Sequence, residues 1–153
     1  MAELNNLRAQ GTTSSSELEE TLDRSILLFD GAMGTSIQAE QLSPEDFGGE
    51  EYEGCNENLV LTTPQIITRI HENFLRAGAD IIETNTFGAS TIVLAEYSLA
   101  AKAREINATA ARIAREAVSK HNSLRKPRFV AGSMGPTTKT ISVTGGVTFS
   151  EMR

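Results

Sequence analysis

Tryptophan is absent from the 153 residues, cysteine occurs once, and only 5% of the chain is aromatic. A single thiol excludes an internal disulfide and any zinc cage made from this chain's cysteines alone. No apolar, uncharged run approaches the roughly 18 residues that a transmembrane helix needs. The first residues, MAELNNLRAQGTTSSSELEE, lack both the apolar stretch and the basic start of a secretory leader. A reducing cytoplasm, with no membrane partner, is therefore the expected setting. What is present is 39% hydrophobic residues, 12 glycines and 22% charged residues, the composition of one globular domain with a real core.

The formal net charge of −6 divides unevenly. Residues 1–60 carry 13 acidic side chains against 2 basic ones, and residues 61–153 carry 7 against 12. Glu40, Glu45, Asp46, Glu50, Glu51, Glu53 and Glu57 follow one another with no base between them. Such a segment repels phosphate backbones, which argues against a nucleic-acid partner.

Residues 1–24 read as a polar extension. Positions 1–15 are too poor in apolar groups to pack, and Ser16-Glu17-Leu18-Glu19 fits a capping box for a short helix over about 17–24. Ile26-Leu27-Leu28-Phe29 is a continuous apolar run of strand length, the pattern of a strand buried on both faces. It ends in Asp30-Gly31-Ala32-Met33-Gly34-Thr35, and a long acidic loop follows. Thr63 as N-cap and Pro64 in the first turn open a helix along Ile66, Ile67, Ile70, Phe74 and Leu75, which Gly78 stops. Ala79–Glu83 predicts a second strand and Arg128–Gly132 a third. Between them the periodicity predicts a helix over Leu99–His121, with Leu99, Ala103, Ile106, Ala110, Ile113 and Ala117 on one face and Asn122 to close it.

Strand, helix, strand, helix, strand without a hairpin signal means parallel strands joined by helical crossovers. Each unit takes roughly 50 residues, so three β/α units use up the length, and Thr148 and Glu151 are spaced as a capping box for one more helix. Residues 25–153 thus read as the N-terminal portion of a larger α/β protein.

In such folds chemistry sits at the C-terminal strand ends. Three loops rich in small and polar groups meet there: Asp30–Thr35, Glu83-Thr84-Asn85-Thr86 and Gly132-Ser133-Met134-Gly135-Pro136-Thr137. Gly31 and Gly34 would turn backbone N–H groups toward an anion. Asp30 and Glu83 would hold an ammonium group or polarise a donor, with Asn85 and Thr86 orienting either the ligand or a carboxylate. A site with acids and backbone donors suits an amino acid. Plainer readings stand beside these: Asp30-Gly31 as a simple turn, Glu83 in a structural pair with Lys or Arg, and Gly132 and Gly135 relieving crowding. His71 reads as a helix-surface or core-edge residue, His121 as a cation favoured at a helix C-terminus, and Cys55 as an incidental thiol. The dinucleotide and P-loop glycine signatures are incomplete, and no Ser-His-Asp arrangement can be argued.

Four segments in order, Asp30–Thr35, Cys55-Asn56-Glu57-Asn58-Leu59-Val60-Leu61, Ala77–Gly88 and Gly132–Thr137, resemble the homocysteine S-methyltransferase family, and within it the N-terminal homocysteine-binding module of the cobalamin-dependent methionine synthases. The resemblance implies a (β/α)8 TIM barrel that binds homocysteine, with zinc on three Cys thiolates and a methyl group supplied by methylcobalamin and methyltetrahydrofolate on further modules. Carried over, Asp30 and Gly31 match the substrate-holding loop, and Glu83, Asn85 and Thr86 match the second strand end lining the pocket. The zinc cysteines and a further carboxylate of the family belong to later strands, and Cys55 matches none of them. The expectation is a part of a homocysteine methyltransferase, without metal ligands of its own and inactive alone. The alternatives are a stand-alone enzyme using betaine or S-methylmethionine, and a non-catalytic binding or assembly element.

Overall fold

The computed structural model describes residues 17–123, 126–141 and 145–152. Residues 1–15 and the Ser16 half of the predicted capping box lie outside them. In chain order the elements are helix α1 over 17–22, α2 (Met33–Ala39), α3 (Pro44–Phe47), α4 (Leu59–Thr62), α5 (Pro64–Ala77), strand β1 (Ile81–Glu83), α6 (Thr91–Leu94), α7 (Ala103–His121), β2 (Phe129–Ala131) and α8 (Phe149–Met152).

The two long helices follow their periodicity. Gly78, at φ 117°, closes α5 by donating its N–H to the carbonyls of Phe74 (3.1 Å) and Leu75 (3.2 Å). At the other end the sequence expectation needs correcting. Thr63 makes no side-chain cap, because its hydroxyl donates to the Asp46 carbonyl at 3.2 Å and ties the start of α5 to α3 instead. Helix α7 also starts later than predicted, after one 3-10 turn at Ala100–Lys102. All six residues of its predicted face are buried.

The acidic stretch is not an open loop. Ser43-Pro44-Glu45-Asp46 starts α3, with the Ser43 N–H donating to Asp46 Oδ2 at 2.9 Å. Ile37 of α2 and Phe47 of α3 bury themselves in the core, and the acids between them face outward. Glu40 pairs with Arg69 of α5.

Helices α5 and α7 pack on each other, with Ile67, Ile70, Ile106, Ala110 and Ile113 in one cluster that also takes Leu59, Val60, Leu94 and Leu99. A second cluster, Leu75, Ala79, Ile82, Ala114, Ala117 and Val118, joins the helices to the sheet. His71 stands four residues from Ile67 and from Leu75 on the same face of α5, so it is fully buried rather than at a surface or a core edge.

Strands β1 and β2 pair in parallel, Ile81 with Phe129, Ile82 with Val130 and Glu83 with Ala131. The first predicted strand, Ile26–Phe29, is reduced to a single parallel bridge from Phe29 to Ile81. It is not buried on both faces either: Ile26 is 90% exposed, Leu28 60% and Phe29 55%. Among the described residues little covers this edge, and Asp80 intrudes into the ladder. Its Oδ2 accepts from the Leu28 N–H at 3.1 Å, while the Leu28 carbonyl accepts from the N–H groups of both Asp80 (2.7 Å) and Ile81 (3.0 Å).

A clamp closes the N-terminal edge of the sheet. Arg128 Nη1 donates to the Gly78 carbonyl (2.9 Å), the Ala79 carbonyl and Asp80 Oδ1 (2.8 Å). Lys126 adds a longer contact to Asp80 at 3.8 Å. Asp80 and Arg128 thereby bind all three extended segments at the end opposite the polar loops. No helix among the described residues is long and apolar enough to cross a membrane.

Candidate functional site

At the C-terminal edge the backbone puts Asp30 beside β1. The Asp30 N–H donates to the Ile81 carbonyl (2.9 Å), and Asp30 Oδ1 accepts from the Glu83 N–H (3.0 Å). Burial pushes the Asp30 carboxyl up to about 6, opposed by the Glu83 N–H and reinforced by the charge of Glu83. Glu83 is exposed, and its Oε2 accepts from the Ser133 hydroxyl at 2.9 Å, so the structure pairs it with a hydroxyl rather than a basic side chain.

Beyond Glu83 the chain bends at Asn85, where the Thr86 N–H donates to the Thr84 carbonyl at 2.9 Å, and the bend sets the Asn85 side chain apart from those of Thr84 and Thr86. Asn85 turns one way and donates from Nδ2 to the Asn56 carbonyl at 2.8 Å. Thr84 and Thr86 turn the other way, toward the loop after β2. The Ser133 N–H donates to Thr84 Oγ1 (3.0 Å), and Thr86 Oγ1 donates to the Ser133 carbonyl (2.7 Å). A carbonyl can only accept, so the Thr86 proton is committed there, and the 2.6 Å contact between the hydroxyls must be donated by Thr84. The result is a closed ring of three hydrogen bonds through neutral groups. All three residues, Thr84, Asn85 and Thr86, are buried.

Two further bonds complete the assembly. Glu57 Oε1 accepts from the Gly88 N–H at 2.7 Å, and the Gly135 N–H donates to the Phe87 carbonyl at 2.9 Å. A Cβ on Gly135 would stand 2.7 Å from that carbonyl oxygen and from the Phe87 ring. The backbones approach too closely for any other residue. Gly135→Ala is expected to lose about 1–3 kcal/mol in urea unfolding through overpacking; an unchanged midpoint would remove this account.

The structure thus gathers Asp30, the Cys55–Asn58 segment, the Thr84–Gly88 segment and the Ser133–Gly135 loop at one edge. Of the sequence-selected residues, Asp30 and Glu83 keep carboxylate acceptors to offer. Asn85 and Thr86 are occupied in holding neighbouring loops. Gly31 is exposed with open space beside it, but the left-handed backbone of this turn falls at Ala32 (φ 50°), while Gly34 is a helical residue of α2. The expected glycine-driven turn at Gly31 and Gly34 is therefore corrected: the chain reverses at Ala32, at the N-cap of α2. Glu57, Thr84 and Ser133 are the residues that pattern reasoning did not single out. The signal was available in polar side chains next to strand ends and in Glu57 within the Cys55–Asn58 run.

Neither thiol nor imidazole joins this edge. Cys55 is fully buried in the core, and burial pushes its thiol up, the reverse of what a metal thiolate needs. His71 is buried with both ring nitrogens unpartnered, and burial lowers it to about 4. His121, at the end of α7, stands with Nδ1 at 3.0 Å from the Ala117 carbonyl. Among the described residues no three His, Cys, Asp or Glu side chains come together as metal ligands. The residues present do not fit a three-thiolate zinc site.

Two solved structures of the homocysteine methyltransferase MmuM from Escherichia coli resemble this fold. The oxidized form is 28% identical at a TM-score of 0.64, over 78% of this chain and 40% of that one. The metallated form is 27% identical at a TM-score of 0.61, over 75% and 40%. The chain therefore spans about two fifths of the length of these relatives. Residues 27–153 match the family model for homocysteine S-methyltransferase. By that match, which takes in every strand and the whole polar edge, the chain belongs to the homocysteine S-methyltransferase family.

Proposed function

We propose that this chain is the homocysteine-binding part of a methyltransferase of the cobalamin-dependent methionine synthase type. In this reading residues 25–153 form the N-terminal portion of a (β/α)8 barrel behind a polar extension at 1–24, in a cytoplasmic enzyme. The overall reaction places a methyl group, from methylcobalamin replenished by methyltetrahydrofolate, on the homocysteine thiolate to give methionine.

The observation that carries the reading is the pair of carboxylates at adjacent strand ends, Asp30 and Glu83, linked by the Glu83 N–H. An amino acid presents an ammonium and a carboxylate. Asp30 and Glu83 offer acceptors to the first, and the exposed backbone around Gly31 offers donors to the second. Asn85, Thr86 and Glu57 hold the loops that frame this edge. Thiol activation lies outside what these residues supply, so the chain alone binds but does not transfer.

Calorimetric titration of the purified chain with L-homocysteine tests this. Binding is expected, weakened about tenfold by Asp30→Asn or Glu83→Gln through loss of a charged acceptor. Affinity is also expected to fall as pH drops below about 6, where Asp30 takes up a proton and no longer attracts an ammonium. No methionine should form from methylcobalamin and homocysteine. Unchanged affinity in both variants would remove the binding reading, and measurable transfer would refute inactivity.

A second reading is a stand-alone enzyme using S-methylmethionine or betaine, since the matched structures are named as homocysteine methyltransferase alone. Saturable binding of S-methylmethionine in competition with homocysteine would favour it over the first.

A further inference from the structure

At this edge the Ser133 hydroxyl, from the loop after β2, donates to the carboxylate of Glu83, the residue that ends β1. We infer that Ser133 is a positioning residue, whose hydroxyl fixes the Glu83 carboxylate in the orientation that receives the substrate's ammonium. The inference rests on the homocysteine-binding reading above and adds a residue to it.

Three observations converge. Glu83 is the last residue of β1 and is exposed, so its side chain has rotamer freedom that nothing on its own strand removes. The Ser133 hydroxyl donates to one of its two oxygens, Oε2, at 2.9 Å, which restrains the carboxylate and leaves the other oxygen to accept from a ligand. Ser133 is itself held still. Its N–H and its carbonyl are both taken by the Thr84–Thr86 hydroxyl ring, so the hydroxyl is delivered from a fixed backbone. The same ring is built on residues immediately following Glu83. Donor and acceptor are thus referenced to one rigid frame.

The division of labour within Ser133 makes the inference testable. The ring uses only its main chain, so Ser133→Ala removes the bond to Glu83 and leaves the loop attachment in place. In the 153-residue chain Ser133→Ala is expected to weaken homocysteine binding about fivefold to tenfold, the scale of one hydrogen bond to a charged group partly offset by solvent, with the melting temperature unchanged. Ser133→Thr, which keeps the hydroxyl, should restore the affinity to within about twofold. In a Glu83→Gln background Ser133→Ala should have little further effect, because the two changes act on one interaction.

Two results would overturn the inference while leaving the binding reading intact. One is wild-type affinity in Ser133→Ala alongside a loss in Glu83→Gln. The other is additive losses in the double variant, which would mean that Ser133 touches the substrate directly. Failure of the binding reading has a different signature: wild-type affinity in Glu83→Gln and Asp30→Asn, or no homocysteine binding at all, either of which removes the positioning role with it.

Discussion

Arg128→Ala is expected to destabilise the protein by about 3–5 kcal/mol, the cost of leaving a buried ion pair with one partner. That is a large share of the roughly 5–15 kcal/mol that holds a typical domain together. The side chain of Arg128 is 8% exposed and that of Asp80 is 12% exposed, so neither charge can turn to solvent when the other is removed. The guanidinium also serves the carbonyls of Gly78 and Ala79, and Asp80 in turn accepts the Leu28 N–H. Its loss therefore reaches the first extended segment as well as β1 and β2. Arg128→Lys keeps the charge, but its shorter side chain ends before the position of Nη1, where the three acceptors converge, and should recover only part of the stability. Urea unfolding followed by circular dichroism measures both. A loss under about 1 kcal/mol for Arg128→Ala would show that the clamp is not what holds this edge.

The second large effect belongs to His71. Its imidazole is folded into apolar surroundings with neither nitrogen hydrogen-bonded, and burial lowers its titration to about 4. In the unfolded chain it titrates near its ordinary 6.5. Above pH 6.5 the ring is neutral in both states and contributes nothing to the pH dependence. Between pH 6.5 and about 4 the unfolded chain takes up a proton that the folded one refuses, so stability falls as pH falls. The full loss is about 3 kcal/mol by linkage. Asp30 works in the opposite sense: its folded carboxyl takes up a proton near 6, above its ordinary 3.8, and so stabilises on acidification. The comparison that isolates His71 is therefore the difference between wild type and His71→Leu across this range. The variant should be more stable at neutral pH, since it removes two unmet buried polar atoms, and the gap should widen toward pH 4. A constant gap would refute the buried, unpartnered imidazole.

How much of this was legible in the sequence depended on whether a signal was local. Pro64 and Gly78 bound α5 because proline and glycine act through their own backbone, and the burial of Ile106, Ala110 and Ile113 followed from helical spacing alone. Ser43-Pro44-Glu45-Asp46 was equally local, yet the density of acids around it argued for a loop, and α3 was missed. The run Ile26–Phe29 failed for the opposite reason. Its hydrophobicity is that of a strand, but whether a strand forms is settled by neighbours across the ladder and above it, and among the described residues it has a partner on one side only.

The site shows the same split. Asp30 and Glu83 were readable as carboxylates at strand ends. Asn85 and Thr86 were readable as polar groups at the right edge, but not as groups already engaged, because their partners Asn56 and Ser133 are 29 and 47 residues away. Ser133 was visible only as one letter in a glycine-rich loop. Four residues after Ile67, His71 reads from the sequence as a helix-surface or core-edge residue, whereas the phase of α5 puts it in the core between Ile67 and Leu75.

The ring formed by Thr84, Thr86 and Ser133 contains no charge. Salt cannot screen it, and no acid or base strength met in ordinary buffers changes the proton count of a hydroxyl or an amide. The Asp30 carboxyl at this edge takes up a proton near 6, whereas the hydroxyl ring takes up none. A titration of ligand affinity in this protein therefore reports Asp30 together with the ligand's own ionisable groups, with the hydroxyl ring as a constant background.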